Sequence, residues 1–309
     1  MKRIILLIII LIIILINTFY IGRFVYNGSM QFTDNQRTSL DNITSELKDM
    51  EQFELGEFES KYEINELKIE SSKEEHNIPG ELILSKKDTD EIIIMVHGSG
   101  GNRKSVYPYA EFFLEKGIDV LTYDQRSSGE NIASKNTYGV LEKYDLKDYV
   151  DYLENNFSYD IGLWGMSFGG ITAGLYISTE HGNNHIDYTI IDSPLSEMQY
   201  PIRQELEDVD TLYPINYLLF SGNLYTKYKL GFFYQDAKLS DQITNSDVPV
   251  LIIHSKKDNI TPLFMAEDIY NSIEHDKKKK FLVEDSQHAE IYFDYKNEYK
   301  DMILDFINY

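Results

Sequence analysis

Six short apolar segments recur along this chain with amphipathic stretches between them, and that alternation narrows the choice of fold more than any other feature. They are EIIIMV (91–96), IDVLTYD (118–124), DIGLWG (160–165), DYTIIDSP (187–194), VPVLIIHS (248–255) and KKFLVEDS (279–286). EIIIMV is almost continuously apolar, as a strand covered on both faces must be. Between the strands, VYPYAEFFLEKG and YDLKDYVDYLENNF carry apolar residues near helical spacing, and Gly117 closes the first of them. FGGITAGLYIST starts another helix abruptly after Ser167, and ILDFINY predicts a C-terminal helix. Strands alternating with helices predict a mostly parallel, doubly wound α/β sheet. Ahead of them ELKIES and GELILS alternate apolar and polar residues, predicting a half-buried antiparallel pair. One such domain, at residues 61–309, accounts for most of the 309 residues.

Three regions stand outside this rhythm. The first is Ile4–Ile16, an unbroken apolar run behind Lys2 and Arg3. With Phe19, Tyr20 and Ile21 it makes about 18 uncharged residues, near the lower limit for spanning a bilayer. Phe19, Tyr20, Phe24 and Tyr26 suit an interfacial belt. A small-x-small cleavage site is missing, so residues 1–26 read as an uncleaved signal anchor rather than a cleaved signal peptide or a buried soluble helix. Lys2 and Arg3 keep the N-terminus cytoplasmic, which puts the domain outside the cell membrane. Second, residues 27–60 are polar and acidic and read as a juxtamembrane stalk. Within them Leu40, Ile43, Leu47 and Met50 share one face of a possible helix that could also pack on the domain edge. Third, residues 195–246 are too long for a plain crossover and rich in Tyr, Phe and Leu, which predicts a cap inserted over the site.

Composition excludes several function classes. Acidic residues outnumber basic ones 51 to 29, for a net charge of −22, so nucleic-acid phosphates are repelled. There is no cysteine, which removes disulfides, thiolate nucleophiles and Cys-ligated zinc. No His/Asp/Glu group has ligand spacing, so neither metal nor cofactor is expected.

Gly165-Met166-Ser167-Phe168-Gly169 is a G-x-S-x-G motif at the junction of DIGLWG and the following helix. A turn this tight strains the serine backbone and needs neighbours without side chains, and it lifts the serine oxygen above the sheet edge at a helix N-terminus. A serine hydroxyl needs a base. His288 follows the last predicted strand and is placed to return over Ser167. His76, His181, His185 and His275 lie in polar surroundings and read as solvated, and His254 has no evident role. The imidazole needs a carboxylate. Asp258 follows VPVLIIHS and gives the chain order Ser167, Asp258, His288. Asp192 and Asp285 are its rivals. An oxyanion needs donors, and the N–H of Phe168 is one. The second falls in His97-Gly98-Ser99-Gly100-Gly101, with the Ser99 backbone as first choice and Gly98 as its rival. GSGGNRKS lacks the spacing of a phosphate loop.

HGSGGN, DQRSSGE, GMSFGG, HSKKDNITP and SQHAE, in that order, resemble the α/β-hydrolase superfamily, and within it bacterial membrane-anchored members near the prolyl-oligopeptidase and dienelactone-hydrolase branches. The loop from Asp124 to Gly129 resembles one that is structural in that family. His254-Ser255 departs from the usual His-Gly. The resemblance implies a serine hydrolase that cleaves an ester, thioester or amide through an acyl-enzyme, most simply a carboxylic-ester hydrolase on a small or lipid-like acyl substrate. The same three residues would serve a peptidase or an acyltransferase, and the scaffold alone would serve a non-catalytic membrane-tethered binding protein.

Overall fold

The computed structural model describes residues 1–35 and 39–307. Three helices precede the sheet: α1 (Lys2–Asn35), α2 (Leu40–Asp49) and α3 (Leu55–Lys61). Then follow β1 (Glu63–Glu70), β2 (Asn77–Leu84), β3 (Glu91–Val96), α4 (Tyr107–Lys116), β4 (Asp119–Tyr123), α5 (Glu142–Asn156), β5 (Asp160–Met166), α6 (Phe168–Ile177), α7 (Glu180–His185) and β6 (Tyr188–Asp192). The insertion holds α8 (Gln199–Glu207), α9 (Ile215–Leu230) and α10 (Leu239–Gln242). The chain closes with β7 (Val250–Ser255), α11 (Leu263–Ser272), β8 (Lys278–Val283), α12 (Ile291–Asp294) and α13 (Lys296–Ile307).

The eight strands form one sheet in the order β1-β2-β4-β3-β5-β6-β7-β8. The β1–β2 and β2–β4 pairs are antiparallel and all the others parallel. This is the α/β-hydrolase architecture. Strand period two divides the core between two faces. Ile92, Ile94 and Val96 of β3 pack with α5, α6 and the insertion, while Ile93 and Met95 pack with α3, α4 and α13. Trp164 sits wholly buried on the second face. Local signals fix the helix ends. Gly117 stops α4 at φ +91, a conformation that favours glycine, and the Ser39 side chain caps α2 by accepting from Asn42 N–H.

Two expected boundaries move. The N-terminal helix does not stop near residue 26 but runs to Asn35, about 51 Å at 1.5 Å per residue. Residues 39–62 are not a stalk: Ile43 and Leu47 of α2 and Leu55 and Phe58 of α3 are buried in the second core face. The amphipathic face of α2 was legible in sequence; the surface that receives it is assembled from distant residues and was not. Along α1, Ile4–Ile16 is exposed throughout, whereas Ile21, Val25 and Tyr26 are buried in the core with Leu218, Leu219 and Tyr225 of α9. The helices approach closely because glycines face the contact. A Cβ on Gly22 would lie 2.3 Å from the Ser221 carbonyl oxygen, and one on Gly222 2.5 Å from Val25.

Candidate active site

β5 ends at Met166 and α6 begins at Phe168, so Ser167 alone makes the turn. Its backbone sits at φ +54, ψ −113, a strained position for a side-chain-bearing residue. The Ser167 N–H donates to the Asp192 carbonyl at 2.8 Å, bracing the turn against β6. Gly165 and Gly169 are obligatory here. A Cβ on Gly169 would fall 1.9 Å from the Val96 carbonyl oxygen, and one on Gly165 2.4 Å from that of Gly169.

His288 and Asp258 arrive from the loops after β8 and β7. Ser167 Oγ lies 2.9 Å from His288 Nε2, and His288 Nδ1 lies 2.7 Å from Asp258 Oδ2. Asp258 is buried, and its other oxygen accepts from Ile260 N–H at 2.9 Å and Thr261 N–H at 2.8 Å. Burial alone would push its carboxyl up, but the hydrogen bonds from His288 and Thr261 and the nearby imidazole hold it below the usual carboxylate range. The anionic form therefore faces the imidazole. With Nδ1–H committed to Asp258, Nε2 is free to accept from the serine hydroxyl.

Three supports escaped sequence reasoning. Thr261 Oγ1 lies 2.9 Å from Asp258 Oδ2 and 3.2 Å from His288 Nδ1. The D-x-x-T spacing before Pro262 was its one available signal. Ser255 stitches the two loops together: its hydroxyl donates to the Ser286 carbonyl at 2.7 Å and accepts from Ser286 N–H at 3.1 Å and Lys257 N–H at 3.2 Å. A glycine, usual there in the resembled family, has no atom to do this. Finally, Tyr109 donates to the carbonyl of Ala289 at 2.9 Å, and Ala289 holds φ +62 directly after His288.

The glycine-rich loop after β3 runs over the serine. A Cβ on Gly98 would lie 3.5 Å from Ser167 Cβ, and Ser99, exposed, follows at the rim. The N–H of Phe168 occupies the first helical position, where it has no partner within the helix. A buried network fixes the loop. Gln125 N–H donates to His97 Nε2 at 3.0 Å, so the proton sits on His97 Nδ1, 2.7 Å from the Gly98 carbonyl. Gln125 Nε2 donates to the His97 carbonyl at 2.6 Å, and Thr172 of α6 donates to Gln125 Oε1 at 2.8 Å. Burial pushes His97 below its ordinary value and keeps the ring neutral.

The rival acids are engaged elsewhere. Asp192 accepts from Tyr299 at 2.8 Å and Ser193 at 2.9 Å, and Trp164 donates to the Tyr299 oxygen at 2.9 Å. Burial pushes the Asp192 carboxyl up to about 6. Asp285 is on the surface, paired with Lys257 at 2.8 Å. His76 is not solvated as expected: its Nε2 sits 3.1 Å from Asp145 within a buried cluster that includes Arg126. Nor is His181, which is partly buried between Tyr176 and Asp151 and stacks on His185. His275 is partly buried, and His254 is wholly buried beneath the Asp258 loop. The Asp124–Gly129 loop is structural. Asp124 accepts from Arg103 N–H at 2.8 Å and Glu130 N–H at 2.8 Å, and Gly129 turns at φ +51 where a Cβ would strike the Asp124 carboxyl. Among the described residues no group of three His, Asp or Glu side chains is arranged to hold a metal.

A family model for the alpha/beta hydrolase fold matches residues 91–216. Protein YqkD of Bacillus subtilis (strain 168) is 30% identical over 227 residues, covering 72% of each chain. YfhR of Escherichia coli (strain K12) is 23% identical over 219 residues, covering 70% of this chain and 69% of its own. Among solved structures, an esterase of Pyrococcus furiosus superposes with a TM-score of 0.64 at 20% identity, over 80% of this chain and 92% of that one. Est1E from Butyrivibrio proteoclasticus, with ferulic acid bound, superposes with a TM-score of 0.59 at 18% identity, over 79% and 100%.

Proposed function

We propose that this chain, which belongs to the α/β-hydrolase superfamily, is a membrane-anchored serine hydrolase that cleaves carboxylic esters through an acyl-enzyme. One observation carries the reading: the unbroken hydrogen-bonded path from Ser167 Oγ through His288 to buried Asp258, at 2.9 and 2.7 Å. In the forward half-reaction Ser167 Oγ attacks the ester carbonyl carbon while its proton passes to His288 Nε2. The carbonyl oxygen becomes an oxyanion, stabilised by the backbone N–H groups of Phe168 and Ser99 and by the N-terminus of α6. Collapse breaks the C–O bond, and the leaving alkoxide takes the proton from His288. Water then attacks the acyl-enzyme with His288 again as base, releasing the acid and restoring the serine. Asp258 holds the imidazole in the required tautomer and balances its transient charge. No step calls for a cofactor.

The anchor reading rests on α1. Its first part is apolar enough to cross a membrane by length and composition. Cleavage near residue 26 would remove Ile21, Val25 and Tyr26 from the core, which favours retention. Lys2 and Arg3, ahead of the apolar run, favour an extracytoplasmic domain. The insertion leaves the sheet next to the nucleophile, with Leu195 N–H 3.4 Å from the Ser167 carbonyl, and Leu195 and Met198 share one apolar core with Phe168, which favours an acyl or aromatic substrate group.

A fluorophosphonate probe tests the chemistry. It is expected to label Ser167, identified by peptide mass, and to leave the Ser167→Ala variant unmarked. Equal labelling of that variant removes Ser167 from the role.

A further inference from the structure

We propose that α9 is an interfacial helix seated in the outer face of the bilayer beside α1, so that the insertion that contains it takes membrane acyl chains as its ligand. The proposal rests on the anchor reading of α1 and goes beyond it. A transmembrane anchor usually needs nothing of the domain it carries but a tether. Here the helix leaves the apolar run already docked. Asn17 Nδ2 donates to the Tyr213 hydroxyl at 2.9 Å, Thr18 Oγ1 lies 2.8 Å from the Tyr217 hydroxyl, and Phe19 packs edge-on against Tyr225 and Tyr228 at 5.0 and 5.7 Å.

Depth follows from length. Ile4–Ile21 at 1.5 Å per residue spans about 27 Å, close to the ~30 Å of a hydrocarbon core. There is no slack, so Leu15 lies inside the hydrocarbon and Phe19 at its edge. An apolar notch between the two helices is lined by Leu15 and Phe19 on one side and Leu224 and Tyr228 on the other. Whatever phase receives Leu15 therefore also meets Leu224 and Tyr228.

The outer surface of α9 is built for that phase. Phe220, Leu224 and Tyr228 stand at i, i+4 and i+8, one row along the helix, and are 56%, 42% and 68% exposed. Leu212, in the turn before α9, is fully exposed. In water such a row costs solubility. Continuous with the exposed Ile4–Ile16 face of α1, it completes one apolar surface, with the Tyr213 ring at headgroup level. Lys227 and Lys229, exposed at the last turn of α9, are placed to meet headgroup phosphates.

The chain has no cysteine, which makes single-site labelling clean. Ile8→Cys, Leu224→Cys, Tyr228→Cys and Glu284→Cys, each in the full chain on a Ser167→Ala background, are labelled with a nitrobenzoxadiazole fluorophore and reconstituted in phosphatidylcholine vesicles. The Ser167→Ala background makes the result independent of the hydrolase reading. Emission of buried Trp164, the sole tryptophan, verifies the fold of each variant. Lipids with nitroxide on the acyl chain are expected to quench most of the signal at 8, 224 and 228, leaving 284 bright and sensitive to aqueous iodide instead. Lipid quenching at 8 with iodide quenching at 224 and 228 overturns the proposal while leaving the anchor in place. Resistance of 224 and 228 to both quenchers means that a second protein copy covers α9, and this also overturns it. Iodide quenching at 8 removes the anchor and the proposal together.

Discussion

Replacing Asp258 by Asn changes one atom of the site and tests how the imidazole is oriented. The backbone N–H groups of Ile260 and Thr261 both point at Oδ1, at 2.9 and 2.8 Å. They pin the amide oxygen of the variant to that position, because an NH₂ there would face two donors. The NH₂ must then occupy the place of Oδ2, opposite His288 Nδ1 at 2.7 Å. Two donors cannot share that gap, so His288 adopts the tautomer protonated on Nε2, and Nε2 no longer accepts from Ser167. We expect kcat to fall by ~10⁴, or about 5.5 kcal/mol of barrier, with KM little changed and the fold intact. Asp258→Ala behaves differently. It strands the two backbone donors beside a buried position, at about 1–3 kcal/mol each, and destabilises the domain by roughly 2–6 kcal/mol. Steady-state hydrolysis of a p-nitrophenyl ester and chemical unfolding in detergent separate the two variants. If the Asn variant keeps its rate within a factor of ten while remaining folded, the tautomer argument is wrong.

Asp192→Asn tests a second buried carboxyl, which burial pushes up to about 6 from the ordinary 3.8. A raised native pKa means that the folded state holds the proton more tightly, so this contribution to stability falls as pH rises from about 4 to about 6 and is level above; the difference in unfolding free energy between wild type and variant should change by about 3 kcal/mol across that window. Gln125→Ala removes the brace from the His97 carbonyl and should lower kcat ~10- to 100-fold through loss of positioning, with a lowered Tm because that buried carbonyl loses its donor, at about 1–3 kcal/mol. Gly22→Leu drives a side chain into the Ser221 carbonyl and should part α1 from α9; uncovering Ile21, Val25 and Tyr26 has an upper bound of about 5–9 kcal/mol, read as a lowered Tm and new proteolytic cuts in α9.

The sheet was legible because its strands are nearly pure apolar runs broken by helices, a pattern set by burial on both faces. The positions of Ser167, Asp258 and His288 were legible because local sequence marks each one: a glycine-flanked turn, and two polar loops directly after strands. What escaped depends on partners distant in sequence. His76 reads as a surface residue until Asp145 and Arg126 are brought around it. Ser255 reads as an unremarkable departure until the Ser286 loop is folded against its hydroxyl. The choice of Asp258 over Asp192 rests on which loop the imidazole reaches, and each strand end presents a carboxylate to sequence alone. The apolar face of α2 was legible as one that could pack on the domain edge, but the surface that α2 and α3 cover is assembled from residues far along the chain.

The contact between α1 and α9 also sets an order of events during synthesis. Asn17 and its partner Tyr213 are separated by 196 positions, so the segment that emerges first must wait for most of the chain before its second half finds cover. Local β–α units have no such delay, because their partners follow within a few dozen residues. The insertion emerges before β7 and β8, so α1 finds its cover while the sheet is still two strands short, after an interval in which its row of unmatched apolar residues lies open to chaperones.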